Sequence, residues 1–164
     1  SKRGMSENSA LVKGVNRAWD AGLVVVVAAG NNGPRTMSIT TPGISRKVIT
    51  VGCSDDDREV LVGGNRMVDY SGRGPAACIC KPDLVAPGCS VVSCAGRADK
   101  YTIKSGTSMS TPIVSGATAL LLERYPDMTN KDVKLKLRES CRDIGLPRNQ
   151  QGWGLLDVEK LVSK

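Results

Sequence analysis

The chain has 164 residues, enough for one domain with a real core, and a formal charge of +7. Hydrophobic residues make up 40% and aromatics only 3%, with no Phe, so the core has to come from Val, Leu, Ile, Ala and Met. The cations are scattered, without a basic run or interleaved aromatics, and no apolar run can span a bilayer, so neither nucleic acid nor a membrane is expected as a partner.

Ser6 is an N-cap candidate for a helix through residue 21, with Leu11, Val12, Val15, Ala18 and Trp19 at helical spacing and Gly22 as its stop. Residues 23–28 are continuously apolar and β-branched, which predicts a strand buried on both faces of a parallel sheet. A helix feeding such a strand implies an earlier strand. None precedes it, so the chain reads as lacking an N-terminal portion of its domain. The strand runs into Ala29-Gly30-Asn31-Asn32-Gly33-Pro34, a turn at a strand's carboxyl end, where open α/β sheets place their sites. Gly30 and Gly33 match neither the dinucleotide nor the Walker pattern, which leaves nucleotide or anion binding here as the weakest reading.

Thr41-Pro42-Gly43 is a turn before a strand at 47–52. Asp55-Asp56-Asp57 lacks the EF-hand pattern and reads as an acidic surface turn. A short strand and turn are expected at 68–75, a short buried strand within 81–88, and further strands at 91–93 and 101–104. Ser105 to Pro112 then forms a small turn that delivers Ser108 to the start of a helix over 108–125. Free N–H groups and the dipole there favour negative charge, although Ser and Thr are also ordinary caps. Met109, Ile113, Val114, Ala117, Leu120 and Leu121 are expected to face inward, with Gly116 and Ala119 allowing close packing. Thr129 caps a helix over 130–140, and a final short helix spans 157–162.

Cys78, Cys80, Cys89 and Cys94 show no Cys-x2-Cys spacing, and His is absent, so a zinc site is not expected. Reduced, mostly packed thiols in a cytoplasmic protein are expected for all six cysteines. The count of zero histidines matters most: a Ser nucleophile is usually activated by a His base, and this chain holds none.

Gly106-Thr107-Ser108-Met109, followed by Ser110-Thr111-Pro112 and a small, apolar helix, strongly resembles the nucleophile segment of subtilisin-like serine proteases, the subtilases. Upstream, Ala28-Ala29-Gly30-Asn31 looks like that family's oxyanion segment. Lys81-Pro82-Asp83, Ala86-Pro87-Gly88 and the closing Gly152-to-Val158 stretch are similar to further family segments, in family order. Ile113 stands where many secreted members carry a non-catalytic His. The cysteine-containing version looks most like bacterial intracellular or minor extracellular members.

The resemblance implies Ser108 as nucleophile and Asn31 as side-chain donor to the tetrahedral intermediate. Ala29, Gly30 and Gly43 would border the primary specificity pocket, and Asp83 would be structural. The implied fold is α/β, a three-layer, mostly parallel sheet flanked by helices and truncated at its N-terminal side, with 1–164 as the C-terminal part of one catalytic domain. The implied function is a serine endopeptidase working through an acyl-enzyme, without metal or cofactor. Its His and Asp would lie in the absent half, so this chain alone would be inactive. Expected partners are a peptide or protein substrate, the N-terminal half of the domain, and a second copy of the fragment. The alternative is a non-catalytic pseudoprotease or interaction module with the same fold.

Overall fold

A computed structural model describes residues 8–96 and 100–163. The first helix, α1 (Ala10–Asp20), is capped by Ser9, whose hydroxyl accepts from the Val12 N–H. Ser6, the expected cap, lies outside the described residues. α1 closes as the sequence predicts: the N–H groups of Gly22 and Leu23 bond back to the carbonyls of Trp19 and Ala18.

β1 (Val26–Ala28) and β2 (Ile49–Cys53) follow, then β3 (Val60–Val62) and β4 (Asn65–Met67). Next come β5 (Leu84–Ala86), β6 (Val91–Cys94) and β7 (Tyr101–Lys104). The C-terminal third holds α2 (Thr107–Arg124), α3 (Asn130–Ser140), β8 (Cys141–Arg142), α4 (Arg148–Gln151), β9 (Leu155–Leu156) and α5 (Val158–Val162). The main sheet runs β1-β2-β5-β9-β8. Its first three pairings are parallel, and β8 joins β9 antiparallel. β3–β4 and β6–β7 form separate antiparallel hairpins.

β2 and β5 are wholly buried, as expected of central parallel strands. β1 departs from expectation. It is shorter than the apolar run, its residues are only half-buried, and Leu23 is exposed, because β1 is an edge strand with β2 on one side only. Ile49, Val51, Leu84, Val114, Ala117, Leu121, Val133, Leu137 and Leu161 share one core, which joins β2 and β5 to α2, α3 and α5. α3 carries the expected cap: Thr129 and Asp132 bond each other's backbone reciprocally.

Several local expectations are corrected. No strand forms at 68–71; the hairpin lies just upstream, turning at Gly63-Gly64. Asp55 and Asp56 are not a surface turn: Asp56 is buried, and both carboxylates accept backbone N–H groups. Gly116, Ala119 and Leu120 face outward from α2, whose apolar and small polar residues are spread over all its faces, so periodicity could not select its inner face. All six cysteines are free, but only Cys53 is buried, and Cys78, Cys80 and Cys94 are exposed. Among the described residues, no helix is long and apolar enough to cross a membrane.

Candidate active site

The loops that trail β1 and β5 both reach one turn, the one that opens α2, and the loop after β2 holds the β5 loop in turn. The cap of α2, Gly106, offers no side chain to its first-turn donors. Asn31, three residues beyond β1, supplies the missing acceptor: its Oδ1 receives the Thr107 N–H at 3.0 Å and the Thr107 hydroxyl at 3.0 Å. A backbone N–H can only donate, so this bond fixes which end of the amide is oxygen. The donor end, Nδ2, is left facing Gly106, where a Cβ would stand 3.3 Å from it. Gly106 has φ 137°, a backbone region that side chains avoid, and glycine also keeps this approach open.

Thr107 is the residue that sequence reasoning missed. Its hydroxyl accepts the Gly30 N–H at 3.2 Å while it donates to Asn31, so it ties the β1 loop to the α2 turn at two points. Ser108 follows it directly, exposed in the first turn of α2. Thr107→Val should therefore leave the fold intact and loosen the Asn31 amide. In the assembled catalytic domain we expect kcat to fall about fivefold to tenfold with KM little changed, the size of one hydrogen bond. An unchanged kcat would show that the Thr107 N–H alone positions Asn31.

The β5 loop supports the turn from below. Gly106 N–H donates to the Gly88 carbonyl at 2.9 Å, and the buried Tyr70 hydroxyl donates to the same oxygen at 3.2 Å. Asp55, from the β2 loop, accepts the N–H groups of Gly88 at 2.8 Å and Cys89 at 3.1 Å. A Cβ on Gly88 would collide with Ser110 Oγ and lie 2.9 Å from Cys53 Sγ, so only glycine lets α2 sit this close. Burial pushes the Cys53 thiol up to about 12, against hydrogen bonding from Tyr70, so it stays protonated beneath the turn.

The expected pocket residues lie together on the β1 side. Ala29 is buried, and its carbonyl accepts the Thr40 N–H at 2.9 Å. Gly30 is half-buried between Thr107 and Gly72, whose N–H it accepts at 2.7 Å. Gly43 is buried behind them, where a Cβ would stand 2.9 Å from the Ala28 carbonyl. Asp83 is remote from this turn, at the start of β5, bonded to Lys81 and the Thr50 N–H.

The fold thus brings Asn31 to the residue before Ser108, where α2 opens at the carboxyl rim of the parallel sheet. The model of the subtilase family matches residues 1–154, and the chain belongs to that family. It is 41% identical over 142 residues to the serine protease AprX of Bacillus subtilis, covering 78% of this chain and 32% of that protein. It is 35% identical over 158 residues to subtilisin DY of Bacillus licheniformis, covering 95% of this chain and 53% of that protein. A solved psychrophilic protease superposes with a TM-score of 0.76 at 30% identity, covering 94% of this chain and 54% of that one. The chain thus spans about a quarter to a half of the length of the curated relatives it matches.

Proposed function

We propose that this chain carries the nucleophile and oxyanion site of a serine endopeptidase, and that the remaining part of the same catalytic domain supplies the base and its orienting acid. Ser108 Oγ attacks the peptide carbonyl as a His from that part takes its proton. The carbonyl oxygen becomes an oxyanion held by Asn31 Nδ2 and the Ser108 N–H. The amine leaves with the proton, and water repeats the sequence on the acyl-enzyme. The observation that carries this reading is the orientation of Asn31, pinned through Oδ1 to Thr107 with its donor end turned toward the nucleophile turn.

Two features support a missing partner. On the outward side of α2, Pro112, Gly116, Ala119 and Leu120 are exposed together, a run of apolar and small residues that another element could cover. β1 is half-buried at the sheet edge, where another element would complete its cover. The six free thiols fit a reducing compartment, and on that ground we place the protein in the cytoplasm.

The test is labelling by a fluorophosphonate probe, with the modified residue mapped by mass spectrometry. The expected result is no labelling of this chain alone, and labelling at Ser108 with peptide cleavage once the N-terminal half is supplied. An assembled domain that neither cleaves nor reacts would overturn the reading and leave a non-catalytic module of the same fold.

A further inference from the structure

At the opposite rim of the sheet, α3 presents Lys131, Lys134, Leu135 and Arg138 at i, i+3, i+4 and i+7, which places them along one stripe. Trp19, near the end of α1, and Trp153, just before β9, stand against that stripe. These six residues line a cavity of about 290 Å³. Its position relative to the site is set by Lys134, whose ammonium donates to the carbonyls of Arg46, Lys47 and Val48, at the amino end of β2. Asn31, Asp55 and Gly88 all follow the carboxyl ends of their strands, so a ligand here would leave Ser108 uncovered.

The lining combines two chemistries. Trp19, Trp153 and Leu135 are apolar, and Leu135 is 55% exposed although it is a large aliphatic side chain. Lys131 and Arg138 are exposed cations, Lys134 turns its ammonium to backbone carbonyls and offers its aliphatic stem, and none of the six is acidic. Beneath the cavity, Lys134 and the buried Lys81 share a single carboxylate, Asp83, at 3.6 Å and 2.6 Å. With both amines protonated that group carries one positive charge in excess, so the floor and the rim have the same sign.

A purely apolar ligand would fill the almost wholly apolar wall but leave the exposed Lys131 and Arg138 beside it without a counter-charge. A simple inorganic anion would leave the tryptophan and leucine surface wet. The volume is at the small end of ligand cavities and suits one large side chain, not a cofactor. We propose that this cavity docks an acidic peptide segment, one large apolar side chain flanked by carboxylates, as an exosite distant from the nucleophile. The apolar side chain enters between the two tryptophans and Leu135, and the carboxylates pair with Lys131 and Arg138 at the rim.

The chain has two tryptophans, and both line the cavity, so intrinsic fluorescence reads its occupancy directly. The probe is an N-acetylated tripeptide amide with leucine between two glutamates, titrated into the chain. We expect a saturable fluorescence change that weakens as salt is raised. Affinity should fall about tenfold when the glutamates are replaced by glutamines, and by a similar factor in the Lys131→Glu, Arg138→Glu double variant. The exchange of leucine for serine in the peptide should abolish saturation. No saturable change, or equal binding of the glutamine peptide, would overturn the proposal, as would an unaffected charge-reversal variant. The peptide comparisons use the unaltered chain and decide the matter independently of the variant's folding. No readout depends on proteolysis, so a failure here is separable from a failure of the protease reading.

Discussion

Ser108→Ala, in a catalytic domain that holds both halves, is expected to lower kcat about 10⁶-fold and leave KM nearly unchanged; that size is borrowed from subtilisin, a member of the same family. The direction follows from what the substitution removes. Alanine deletes the attacking oxygen but keeps the backbone N–H of residue 108 and every bond that Thr107 and Gly106 make to Asn31 and Gly88. Ground-state binding therefore survives while the covalent step is lost, and losses of that kind fall on kcat. Asn31→Leu should act differently in degree, by about 10²–10³, again the size known from a subtilisin, because it removes one donor and leaves the nucleophile. In the double variant the two effects should not add, since without an oxyanion there is nothing for Asn31 to stabilise. Single-turnover kinetics with an activated ester would separate acylation from binding. A Ser108→Ala domain that retained more than about a hundredth of the parent rate would exclude this serine as the nucleophile.

What could be read in advance depended on whether the signal lay in side chains. β2 and β5 were legible because strands covered on both faces must be apolar throughout, and each ends in small or turn-forming residues. β8 and β9 were not, because each is two residues long and exists through its pairing partner. The hairpin ending at Met67 carried a visible signal, Gly63-Gly64, but the reading favoured the β-prone Val68 and Tyr70 just downstream. There the backbone turns at Asp69, φ 51°, and Tyr70 is drawn inward to bond the Gly88 carbonyl. The same division holds at the site. Asn31 and Ser108 were nominated by the resemblance of the segments around them to the subtilase pattern. The relay from Asp55 through Gly88 to Gly106 was invisible because its middle links are a backbone N–H and a backbone carbonyl. Asp55 looked like part of an acidic turn, and nothing in Asp55-Asp56-Asp57 says which carboxylate meets two amides from a loop more than thirty residues away.

Asp83→Asn is expected to destabilise the chain by about 3–5 kcal/mol, a large share of the stability of a domain this size. Lys81 is 1% exposed, and its ammonium donates to Asp83 Oδ2 at 2.6 Å, the Thr50 hydroxyl at 2.9 Å and the Val48 carbonyl at 3.1 Å. Thr50 passes this order on by donating to the Gly43 carbonyl at 2.8 Å, so the cluster also anchors the loop behind Ala28 and Ala29. Asparagine can keep a hydrogen bond to the Thr50 N–H but not the charge, which leaves Lys81 and Lys134 as two like charges with no carboxylate between them. The pH dependence gives the sharper check. Burial pulls Lys81 down to about 8 from its ordinary 10.5, against the pull of Asp83 and with the push of Lys134. The folded chain thus holds this proton less tightly than the unfolded one, and the Lys81 contribution makes stability rise as pH climbs through this range. Without Asp83 the attraction is gone, Lys81 is lowered further, and the gain begins at a lower pH. The deficit of Asp83→Asn relative to the parent should therefore be largest at low pH, where Lys81 is protonated in both chains, shrink as the variant loses that proton first, and level off above about pH 8, where the parent loses it too. Burial pushes up Cys53, Cys141 and Tyr70 in both chains alike, so they cancel in that difference. Urea midpoints measured in parallel across the range would show it, and a deficit below about 1 kcal/mol, or one independent of pH, would mean that the Thr50 hydroxyl and the Val48 carbonyl hold Lys81 without help from the carboxylate.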